Sequence, residues 1–117
     1  MPRIKIELPT QEEFPLPEDG VSIRWPDPPL IQERRIQDYK IYAALAYCRK
    51  NKLNRVVIDA PTPRLGIVTS GKSYLDVLQA FDDLGIDEKH AAEIGIRLFK
   101  VGMSWPLEPE GVRHFAE

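Results

Sequence analysis

Apolar and polar residues change rhythm several times along the chain. Ile4, Ile6 and Leu8 alternate with Lys5 and Glu7, the period-two pattern of a half-buried strand. Val21-Ser22-Ile23-Arg24-Trp25 repeats it until Pro26 stops it. From Glu33 to Lys52 the spacing becomes helical: Ile36, Tyr39, Ala43 and Tyr47 recur on one face, with alanines between them. Asn51 to Asn54 supply a stop. Arg55-Val56-Val57-Ile58 is a short apolar run, and Leu65-Gly66-Ile67-Val68 reads as a buried strand. Thr69-Ser70-Gly71 then reads as a tight turn. Ser73 with Asp76 has the pattern of a capping box opening a helix, which Leu75, Leu78, Phe81 and Leu84 continue to Gly85. Asp87 is placed to cap a shorter helix that runs to Ile94 and closes at Gly95. Ile96 to Val101 alternate as a strand. Pro109 and Glu110 open a last helix, since a ring at the first position loses no bond and a carboxylate suits the positive end of the dipole.

Strand, helix, strand, helix is the rhythm of a parallel sheet with helices packed on it. The expected class is therefore α/β. Seven of the eleven prolines fall within the first 29 residues. Proline fixes φ and removes a donor, so residues 1–32 are expected as an extended arm with at most short strands. Residues 33–117 are expected as the α/β domain. A helix following a parallel strand should lead to another strand, and none follows Glu117, so the domain reads as incomplete at that end. A sheet lacking an edge strand carries unpaired backbone groups. The expected remedy is either a homodimer or the arm laid over that edge.

Gly66-Ile67-Val68-Thr69-Ser70-Gly71-Lys72-Ser73 fits the P-loop pattern, in which backbone N–H groups wrap phosphates, the lysine reaches the outer phosphate and the serine holds Mg²⁺. Its surroundings oppose that use. Ile67 and Val68 are strand formers. Pro61 and Pro63 interrupt the strand that should precede the first glycine. The acidic strand Val56-Val57-Ile58-Asp59 comes before the loop instead of after it. The alternative is a strand-to-helix turn whose Ser70, Gly71, Lys72 and Ser73 contact an anion or cofactor at a helix N-terminus.

Other residues narrow the chemistry. A single cysteine, Cys48, allows no internal disulfide and no iron–sulfur cluster held by this chain alone. It sits among Ala44, Ala46 and Tyr47 and reads as a small buried hydrophobe. Two widely spaced histidines, His90 and His114, make no metal site with it. Asp82 and Asp83 are adjacent and point apart on a helix. Trp25-Pro26 and Trp105-Pro106 are steps at which a cis bond is favoured. The net charge is −2, so nothing points to nucleic acid. No apolar run reaches the ~18 residues a membrane span needs. The N-terminus lacks a signal-peptide core, and a cytoplasmic location is expected.

Leu65 to Ala80, Leu84-Gly85-Ile86-Asp87, Lys100-Val101-Gly102-Met103 and Trp105 to Gly111 together closely resemble the indolepyruvate ferredoxin oxidoreductases, the long fused bacterial form of the 2-oxoacid:ferredoxin oxidoreductase family. Ile23 to Asp27, Tyr39-Lys40 and Ala43 to Ala46 are also similar, so the likeness extends from about Leu16 onward. It implies an enzyme that uses thiamine diphosphate with Mg²⁺ and iron–sulfur clusters. Such an enzyme converts arylpyruvates to acyl-coenzyme A and passes electrons to ferredoxin. It further implies that this stretch is an internal three-layer α/β/α domain similar to the transketolase C-terminal domain. The Gly-Asp-Gly diphosphate motif with its downstream Asn is absent, Asp19-Gly20 alone does not make it, and the four-cysteine motifs are absent too. A structural, non-catalytic domain packed against the rest of its parent is the function the resemblance implies.

Overall fold

A computed structural model describes residues 5–22 and 27–117. The chain divides into two compact units, 1–51 and 52–117. The division falls after the first helical run, so this run belongs with the proline-rich segment and not with the sheet.

In the first unit the helical run opens at Pro29, not Glu33. It comprises α1 (Pro29–Arg35), a π-helical stretch (Ile36–Lys40) and α2 (Ile41–Lys50). Pro29 sits at the first helical position, where its missing N–H costs nothing. The carbonyl of Pro28 takes the N–H groups of Ile31 and Gln32 at 3.0 and 3.1 Å. The run ends at Asn51, as its composition predicts.

Of the segment 4–8, whose alternation predicts a strand, the described residues 5–8 form none. Ile4 lies outside the described residues, and Ile6 and Leu8 are exposed. The backbone there finds a side chain instead of a neighbouring strand. The Glu7 N–H donates to Asn51 Oδ1 at 2.9 Å, and Asn51 Nδ2 returns a bond to the Glu7 carbonyl at 2.8 Å. The second alternating segment begins in a bend at Val21 and Ser22, and its remainder, with Trp25-Pro26, lies outside the described residues. Farther along, Lys50 Nζ meets Glu13 at 2.8 Å. Arg35 lies between Asp19, which it grips through both terminal nitrogens, and Asp27 at 3.4 Å. The arm is therefore irregular in backbone and fastened by polar side chains.

The second unit is a mixed α/β domain. Its strands are β1 (Arg55–Ile58), β2 (Leu65–Ser70) and β3 (Ile96–Val101), and its helices are α3 (Gly71–Asp83), α4 (Glu88–Ile94) and α5 (Pro109–Ala116). The sheet order is β1-β3-β2. β2 and β3 run parallel, with Leu65 beside Ile96 and Ser70 beside Val101, as the strand–helix rhythm predicts. β1 runs antiparallel to β3, so the sheet is mixed and not wholly parallel. The reason is the connection. Only residues 59–64 join β1 to β2, whereas a parallel crossover needs a dozen or more. A bulge at Val57 turns both Val57 and Ile58 toward the same core.

Alternation on β3 builds two cores. Leu98, fully buried, joins Ile58, Phe81 and Ala91, with Ile67, Tyr74, Val77 and Leu78 around them, so α3 and α4 cover that face. Phe99 and Val101 face the other way, against Phe115 and Val112 of α5. Helix ends follow local chemistry. Gly85, at φ +67°, closes α3 in a Schellman arrangement, with Ile86 N–H on the Phe81 carbonyl at 2.8 Å and Gly85 N–H on Asp82 at 3.0 Å. Asp87 caps α4 by accepting the His90 N–H at 2.7 Å.

Gly102 lets the chain leave β3 under the Leu53 carbonyl, where an added Cβ would sit 2.3 Å from that oxygen. Asn54 Oδ1 fixes the same bend by accepting Gly102 and Met103 N–H at 2.8 and 3.0 Å. Gly102→Ala is expected to lower stability by about 1–3 kcal/mol, the cost of forcing an atom into a packed site, measured by denaturant unfolding.

Glu13 supplies a pH prediction for the arm. The Lys50 ammonium, then the Thr10 N–H, pull its pKa from 4.5 down to about 2. A depressed carboxylate stabilises fully above its unfolded pKa and loses that contribution as pH falls through its folded one. The arm's attachment should therefore weaken between pH 4.5 and about 2, followed by NMR at Thr10 and Lys50. Glu13→Gln should abolish that pH dependence.

Candidate functional site

The residues singled out by the P-loop pattern lie at the junction of β2 and α3, at the C-terminal edge of the parallel pair. Gly66, Ile67, Val68, Thr69 and Ser70 are all strand, in register with β3. The expected turn at Thr69-Ser70 is absent: the strand runs to Ser70, and Gly71 alone redirects the chain with φ +52°. Five of the eight pattern residues are thus extended ladder and cannot wrap a phosphate. Apolar β-branched Ile67 and Val68 extend the strand because they pack on a pleated surface.

The capping box is also shifted. Ser70, not Ser73, is the N-cap of α3. The Ser73 hydroxyl donates to the Ser70 carbonyl at 2.6 Å and accepts the Ser70 N–H at 3.3 Å. Ser73 lies three residues after the cap, so it fills the place in the box that the sequence assigned to Asp76. Asp76 instead pairs with Lys72 across one helical turn. Lys72, Ser73 and Gly71 are exposed, and an added Cβ at Gly71 would meet nothing within 4 Å. The structure brings Ser70, Gly71, Lys72 and Ser73 together at one exposed helix start, where the Ser73 hydroxyl serves the cap and Lys72 is paired with Asp76.

The other candidates remain apart. His90 is exposed on α4, 3.9 Å from Glu93, and His114 is exposed on α5. Cys48 is buried. Asp82 and Asp83 are exposed, and Asp83 accepts from Gln79 at 2.8 Å. The Trp105-Pro106 bond is cis. Among the described residues, no group of three His, Cys, Asp or Glu side chains is placed to hold a metal ion.

Polar groups the sequence did not single out instead hold the α5 layer. Arg97 lies over the Phe115 ring, 4.8 Å from its centroid. It donates to Asp59 at 2.7 Å and to the Phe115 carbonyl at 2.9 Å. This joins β3, the end of β1 and the end of α5. Glu108, 2% exposed, caps α5 by accepting the Glu110 and Gly111 N–H groups at 3.0 and 2.7 Å. Glutamate is not a favoured cap residue, so only the fold reveals this role. Gly66 leaves room for Phe115, whose ring would lie 3.0 Å from an added Cβ. An open groove of about 420 Å³ runs beside Gly66, Leu65, Val68 and Phe115 on this side of the sheet.

The family model of the indolepyruvate oxidoreductase domain matches residues 55–117, which span all three strands and the helices α3 to α5. No curated protein and no solved structure matches the chain.

Removing the Glu108 carboxylate should unseat α5 from the sheet. Glu108→Ala is expected to cost about 2 kcal/mol, the upper end for loss of a cap, in denaturant midpoint. Glu108→Gln, which keeps an acceptor oxygen, is expected to lose less.

Proposed function

Because the chain belongs to the indolepyruvate oxidoreductase domain family, we propose that it is a non-catalytic α/β domain of a thiamine diphosphate-dependent enzyme that oxidises arylpyruvates to acyl-coenzyme A and reduces ferredoxin. Its work there is packing: a rigid body against which the catalytic parts of the enzyme are set. One observation carries this reading. The family match covers the sheet and its helices, while in the phosphate-loop pattern Ser73 is taken up by the α3 cap and Lys72 by a surface pair with Asp76. Helices on both faces of a mixed sheet also support a three-layer domain of the kind found at the C-terminus of transketolase. A cytoplasmic location belongs to the same proposal, and in the described residues no helix is long and apolar enough to cross a membrane.

The residues present do not fit the parent's cofactors. An iron–sulfur cluster is held by about four thiolates, and this chain has one cysteine, which is buried. Among the described residues, no three His, Cys, Asp or Glu side chains converge where they could hold a metal ion. No catalytic step is therefore assigned to any side chain here. Ferredoxin and the remaining domains of the parent are the proposed partners.

A thermal-shift titration tests this reading. A ligand present at 100 times its Kd would stabilise the folded chain by about 2.7 kcal/mol, which moves the melting temperature by several degrees. No shift is expected with ATP and Mg²⁺, with thiamine diphosphate and Mg²⁺, or with coenzyme A. A shift lost in Lys72→Ala would make the β2–α3 junction a ligand site and overturn the structural assignment.

A further inference from the structure

We draw no further inference here: the strongest candidate, the exposed apolar patch of Trp105 and Leu107 on the loop that Asn54 fixes after β3, carries nothing because nothing in the structure shows what covers it.

Discussion

The second unit depends on the alternation of one strand. Consecutive residues of β3, Leu98 and Phe99, point into different cores, and each core holds a different helical layer. Leu98 is fully buried beneath α3 and α4, and burying a side chain of this size stabilises by about 1.5–3 kcal/mol. Phe99 meets Phe115 at a centroid distance of 5.1 Å and so carries α5. β3 is also the only strand paired on both sides among the described residues. The polar attachments run through the same strand: Arg97 ties α5 to Asp59, and Thr69 Oγ1 donates to the Phe99 carbonyl at 3.3 Å.

This arrangement explains why a phosphate-loop pattern has a structural use here. A P-loop needs backbone free to curl around its ligand. Between Gly66 and Ser70 the backbone is held straight by β3, because Ile67 packs into the core with Leu98. The two glycines have separate tasks. Gly66 makes room for Phe115, and Gly71 adopts the positive φ that starts α3. Ser73 closes the cap. Within the span that matches the indolepyruvate oxidoreductase domain, the residues of the phosphate-loop pattern thus serve the strand, the turn and the cap.

Much of the α/β unit was legible in the sequence because its signals are local. Gly85, Asp87 and Gly95 act within a turn of their own position, and Ile96 to Val101 alternate with the period of the sheet. The misses come from partners distant in sequence. The alternation of residues 4–8 is genuine, but Asn51, 44 residues from Glu7, takes the backbone bonds that a strand would have needed. β1 runs antiparallel because of the short path to β2, which no residue of β1 reveals. The caps moved for a similar reason: Ser70 and Ser73 share the spacing that Ser73 and Asp76 also have, and only the end of the β2–β3 ladder decides between them. Arg97 and Asn54 carried no motif and act through contacts that exist only after folding, whereas Glu108 is a local cap made by a residue type not favoured there.

Native-state hydrogen exchange across residues 52–117 tests the dependence on β3 most directly. If both helical layers hang from this strand, the core amides of β3, of α3 and of the Val112–Ala116 turn of α5 should share one opening free energy, that of global unfolding. Exchange of the α5 amides through a separate, lower-energy opening, with β3 still protected, would show that the two layers are held independently and contradict the account.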